Sequence, residues 1–103
     1  MDRELKEEIV KQQGELLYTT LGEECSEVIQ ACSKIMRKKF YKENFDRNNL
    51  LEEICDLEIN LELIKEQLCR EKSLKLNKED VDKKIEEWHF LKEEKLKKVF
   101  LKK

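Results

Sequence analysis

The chain has 103 residues, no proline, and two glycines, Gly14 and Gly22. Proline and glycine are the residues that most readily break helices and set tight turns. A sequence with so few of them, and so much Glu, Lys and Leu, is predicted to be helical almost throughout. That argues against sandwiches, barrels and glycine-rich phosphate loops. Hydrophobic residues make up 39%, and they fall in stripes rather than at random, so the chain has a core to build.

Charge narrows the function classes. Charged residues reach 45%, against roughly 25% in an average domain. Yet 22 basic and 24 acidic residues nearly cancel, leaving −2. Nothing gives a global basic footprint, so no nucleic-acid partner is expected. Only residues 34–42 are locally basic, and they carry no recognisable reading motif. No apolar run approaches the ~18 residues of a membrane span, so no membrane partner is expected. The first residues are acidic and polar, unlike a secretory signal. Cys25, Cys32, Cys55 and Cys69 form neither a CxxC nor a zinc spacing. Free thiols in a reducing cytoplasm are the expectation.

Hydrophobic periodicity marks four helical segments with no linker between them, and the expectation is one domain over 1–103. The first covers about residues 2–12, with Leu5 and Ile9 apolar and Gly14 as a break. The second covers about 15–38. The third runs to about 71, with Asp46, Asn48 or Asn49 as its cap. Residues 73–77 read as a polar turn. Asn77 is placed to cap a fourth helix to about 101, with Glu79 and Asp80 at its positive end. That helix carries Val81, Ile85, Trp88, Leu96 and Val99 as a stripe. Trp88 reads as a packing anchor, and His89, the single histidine, as a solvated side chain.

Most acids fit a solvated helix surface, but a few do not. At about 100° per residue, Leu17, Leu21, Val28, Ala31, Cys32 and Ile35 share one face of the second helix. Glu24 falls inside that face, Glu27 on its edge and Glu23 further out. On the third helix, Leu50, Ile54, Leu57, Leu61, Ile64 and Leu68 form the expected buried seam. Glu53, Asp56 and Asn60 make a polar stripe beside it. Leu51, Cys55, Ile59 and Leu63 form a second apolar stripe, which predicts a helix covered on two sides, partly by another subunit. An ionised carboxylate on an apolar face is costly unless it is paired, protonated or bound to a cation. The pairs Glu24/Glu27 and Glu53/Asp56 are each spaced i,i+3, so each places two carboxylates on one helix face. If the two faces meet, four carboxylates converge, and a hard cation such as Mg²⁺ resolves the repulsion. Neither pair contains a histidine, so the Glu-x-x-His of di-iron bundles is absent.

Leu21-Gly22-Glu23-Glu24-Cys25-Ser26-Glu27 and Leu51-Glu52-Glu53-Ile54-Cys55-Asp56-Leu57 together resemble the EExxE…ExxD signature of the MazG-like, all-α nucleoside triphosphate pyrophosphatases. The resemblance spans Leu21 to Ile64, about two fifths of the chain, and looks most like the small phage and bacterial members. It implies an all-α, four-helix chain assembling into an oligomeric helical bundle, as a homodimer or homotetramer. It implies hydrolysis of a nucleoside triphosphate to the monophosphate and pyrophosphate with Mg²⁺, or Mn²⁺ in its place. By motif position Glu24, Glu27, Glu53 and Asp56 correspond to metal ligands, with Glu23 and Glu24 catalytic and Glu23 orienting or deprotonating the attacking water. Lys34 and Arg37 are candidates for the phosphate tail, and Asn60 for a sugar or base contact. Lys83 and Lys84 read as solvated. Relatives often close the second helix with Arg-Phe-Gly; this chain has Arg37-Lys38-Lys39-Phe40, without the glycine. Phosphoribosyl-ATP pyrophosphatase is a related reading, set back by Asn60 where its motif calls for histidine. A non-enzymatic helical interaction module is the reading from a different class.

Overall fold

The computed structural model describes residues 1–40, 47–71 and 77–101. They form four helices: α1 (Arg3–Gln13), α2 (Leu16–Phe40), α3 (Asn48–Arg70) and α4 (Lys78–Phe100). Among the described residues there is no strand, and no helix is long and apolar enough to cross a membrane. Asp46 and the turn expected over 73–76 lie outside the described residues. The chain comprises two compact units, Met1–Gln67 and Leu68–Lys103. The division falls within α3, where no change of composition marks it.

Local chemistry explains the helix ends. The Asp2 carboxylate accepts the Leu5 backbone N–H at 2.9 Å, and Glu4 stands in the first turn of α1 with Lys11 in the last. Gly14 then takes φ 52, ψ −129, a backbone conformation in which a side chain is strained. Its N–H still reaches the Val10 carbonyl at 2.9 Å. Its own carbonyl accepts Leu17 N–H at 3.1 Å, so α2 begins with hardly a gap. Asn77 caps α4 as expected, its side-chain oxygen accepting Asp80 N–H at 2.8 Å. Asn48 and Asn49 do not cap α3. They lie inside it, and the Arg47 carbonyl accepts the first helical bond, from Leu51.

The core of the first unit is small. Val10 of α1, Leu17 of α2 and Leu63 of α3 pack together, with Ile9 and Ile64 against them. Burying side chains of this size contributes roughly 1.5–3 kcal/mol each. On α1 the inward residues are Lys6 and Val10, while Leu5, expected inside, is 53% exposed. Helix α1 turns Val10 into the core, which brings Lys6, one turn earlier, to face a partner across the unit. Its Nζ lies 3.6 Å from Glu62 Oε1, which the Met1 amine also approaches at 3.7 Å.

Helix α2 turns its expected face inward. Leu17 and Ala31 are buried, and Leu21, Glu24, Val28 and Ile35 are half-buried. Cys32, expected on that face, is exposed. Helix α3 is rotated from expectation. Of the expected seam, Leu50, Leu57, Ile64 and Leu68 are half-buried and Ile64 packs against the core, while Ile54 and Leu61 are exposed. The inward side instead runs through Glu53, Asp56, Asn60, Leu63 and Gln67. Of the second apolar stripe only Leu63 is buried, while Leu51, Cys55 and Ile59 are exposed.

The packing predicts a clear contrast between two leucines. Leu17→Ala is expected to lower unfolding free energy in urea by about 2–5 kcal/mol. Leu5→Ala, one helix away on an exposed face, is expected to change it by about 0.5 kcal/mol or less.

Candidate metal centre

Two contacts fix how α2 and α3 run. Leu17 meets Leu63 in the core. Seven residues further along α2 stands Glu24, and seven residues back along α3 stands Asp56; these two lie in the same acidic group. One helix climbs as the other descends, so the pair is antiparallel. Seven residues are about two turns, or roughly 10 Å. At that height each helix again presents its inward side, and on both the residue there is an acid.

The result is a quartet. Glu24, Glu27, Glu53 and Asp56 each offer a carboxylate oxygen, and the four oxygens lie within 4.8 Å of one another. Trans ligands across an octahedral Mg²⁺ stand about 4.2 Å apart, twice the Mg–O distance. The quartet is therefore close to the span of one coordination shell. Glu24, Glu53 and Asp56 are half-buried and Glu27 is exposed. Glu24 Oε2 and Glu53 Oε2 are both fully shielded from solvent and have no hydrogen-bond partner. A buried oxygen without a donor is costly, more so when charged.

Electrostatics register the same crowding. The Glu53 carboxyl is pushed up to about 7, first by a hydrogen bond shared with Glu27 and then by burial. The negative charges of Glu27, Asp56 and Glu24 add to the shift. The Glu24 carboxyl also lies above its ordinary 4.5, first because it is desolvated, then through the charges of Glu27 and Asp56. A hydrogen bond with Glu27 and the charge of Glu23 raise it further. Without a cation, part of the quartet holds protons near neutrality.

The other candidates are placed less tightly. Glu23 is exposed beside Glu24. Asn60 is 8% exposed, and its side-chain N–H donates to the Asp56 backbone carbonyl at 2.8 Å. It sits one turn below the quartet, on the inward side. Lys34 and Arg37 are exposed on α2, and by helical rise stand about 10 and 15 Å beyond Glu27. The structure brings the four acids together and holds Asn60 next to them; it does not bring Lys34 or Arg37 into the quartet. Gln67 was not anticipated. It is 8% exposed and extends the inward polar line at seven-residue steps from Glu53 through Asn60. That spacing was present in the sequence as a heptad of polar residues.

No family model, curated protein or solved structure matches the chain.

The raised Glu53 carboxyl has a consequence for metal-free protein. Its folded value of about 7 exceeds the ordinary 4.5, so between those values the folded state binds more protons than the unfolded chain. Folding stability therefore falls as pH rises through that window. Urea unfolding at pH 5 and pH 8, with chelator present, is expected to show this loss. Glu53→Gln is expected to make the loss smaller.

Proposed function

We propose that the chain is a Mg²⁺-dependent nucleoside triphosphate pyrophosphohydrolase of the MazG-like type, converting NTP or dNTP and water to the monophosphate and pyrophosphate. The observation that carries the reading is the quartet: four acids from the two resembling motifs, within 4.8 Å, two of them with shielded oxygens that have no donor. Carboxylates without histidine or cysteine suit a hard oxygen-binding cation. Glu24, Glu27, Glu53 and Asp56 are the residues that would hold Mg²⁺, or Mn²⁺ in its place. Such an ion, when bound, neutralises the triphosphate and makes a water molecule more acidic.

The chain's own residues supply the rest. Cleavage between the α- and β-phosphates needs a water oxygen to attack phosphorus and lose a proton. Glu23, exposed beside Glu24, is the carboxylate that takes it. Lys34 and Arg37 stand on the same helix, and their long side chains counter the charge of the phosphate tail. Asn60 has one N–H committed to Asp56; its carbonyl oxygen is the part assigned to a sugar or base contact. An acidic quartet repels a polyanion by itself, so the metal-free protein should be a poor nucleotide binder.

Assembly belongs to the same proposal. Tyr18, Ile29 and Met36 of α2, with Leu51, Ile59 and Leu61 of α3, are exposed. Large apolar side chains on two helices suit a homodimer or homotetramer, in which a second copy covers them. The free cysteines fit the cytoplasmic setting that a nucleotide-pool enzyme requires.

A panel of NTPs and dNTPs with Mg²⁺, read out for pyrophosphate, tests the activity. At least one nucleotide is expected to yield monophosphate and pyrophosphate. Glu53→Gln is expected to lower that rate by about 100-fold or more. Release of inorganic phosphate alone, or an unchanged rate in the variant, overturns the reading. Mg²⁺ is also expected to raise the melting temperature beyond matched ionic strength. A helical interaction module without a site would show no such rise.

A further inference from the structure

Helix α4 exposes much more apolar surface than a solvated helix needs. Trp88, Phe90, Leu91, Leu96, Val99 and Phe100 are all more than half exposed. Trp88 and Leu91 lie on either side of the helix midpoint and point to the same side. Asp80, Lys84, Glu87, Lys95 and Lys98 share that side, separated by threes, fours and sevens. All seven are exposed. Within the chain, Lys92 Nζ stands 5.9 Å from the Trp88 ring centroid, which leaves the ring 58% exposed.

The charges on α4 are segregated along its length. Residues 78–87 carry five acids and three lysines, a net −2. Residues 92–101 carry four lysines and two acids, a net +2. The helix dipole agrees with this order, with Glu79 and Asp80 in the first turn and Lys97 and Lys98 in the last. A parallel partner helix of the same sequence would set acidic half against acidic half. An antiparallel one sets each acidic half against a basic half, and the helix dipoles also oppose.

We propose that α4 pairs antiparallel with α4 of a second copy of this chain, about a twofold axis near the middle of the helix. Trp88 and Leu91 of each copy then meet Leu91 and Trp88 of the other. The interface is isologous, so both copies use the same residues. Aromatic and leucine side chains at its centre supply the burial, and the net charges of the two halves set the orientation against the approach of Lys84 to Lys95 of the second copy. The acidic half disfavours an anionic membrane surface, which the basic half alone would attract. The proposal rests on α4 alone and uses no residue of the acidic quartet.

Trp88 is the single tryptophan of the chain, so its fluorescence reports this surface. In full-length protein, acrylamide quenching of Trp88 should fall as concentration rises, in step with self-association measured by sedimentation. Glu86→Lys with Glu87→Lys makes both halves of α4 positive. Lys95→Glu with Lys98→Glu makes both negative. Each pair of substitutions should weaken Trp88 protection, raising the concentration needed by about tenfold at low ionic strength. Combining all four reverses both halves and should restore protection to near the starting concentration. Lys and Glu are both good helix formers, so circular dichroism should show α4 retained. Quenching that ignores concentration overturns the proposal. So does failure of the combined variant to recover, and so does protection that develops only with vesicles of anionic lipid.

Discussion

Four carboxylates held within 4.8 Å repel one another, and the fold accepts that repulsion as a consequence of how α2 and α3 pack. The apolar contact of Leu17 with Leu63 sets the register of the pair. Once that contact is made, the helical rise brings Glu24 and Asp56 to the same height two turns away. No separate device gathers the acids. The same packing shields Glu24 Oε2 and Glu53 Oε2 from solvent. The raised proton affinity of Glu53 and Glu24 then follows from crowding and desolvation. Position, burial and protonation at the quartet are thus three results of one antiparallel register.

The sequence was legible where burial on a helix comes from a single continuous stripe. Projection of α2 correctly placed Leu17, Leu21, Glu24, Val28, Ala31 and Ile35, and singled out Glu24 as an acid on the inward face. The Asn77 cap was legible too, because a cap depends on residues three apart. On α3 the polar stripe expected beside the apolar seam is the most inward part of the helix. The most apolar direction is only half covered: Leu50, Leu57, Ile64 and Leu68 are half-buried, and Ile54 and Leu61 on its far edge are exposed. Hydropathy on a helix with several apolar directions does not say which of them its own chain covers. The polar line through Glu53, Asn60 and Gln67 turns inward because Leu63, beside it, belongs to the core.

Helix α1 shows the other limit. Its inward residue Lys6 looks like any surface lysine of an acid-rich, lysine-rich chain. It is inward because it stands one turn before Val10 of the core, and Glu62, far along the sequence on α3, meets it there. Local pattern cannot anticipate a partner fixed by tertiary packing. Leu5, the more apolar of the two, is the exposed one.

The α2–α3 pair has two unlike regions. One is dry and closed by Leu17 and Leu63; the other, about two turns away, is crowded with like charge. Such a pair resembles forceps with a tight hinge and jaws that push apart. Opening that begins at the jaws leaves the hinge closed, so amide hydrogens beside Glu24 and Asp56 would exchange with solvent sooner than those beside Leu17 and Leu63. Anything that neutralises the jaws, whether protons or a cation, works as a clasp, and the gradient of exchange along the two helices would level out.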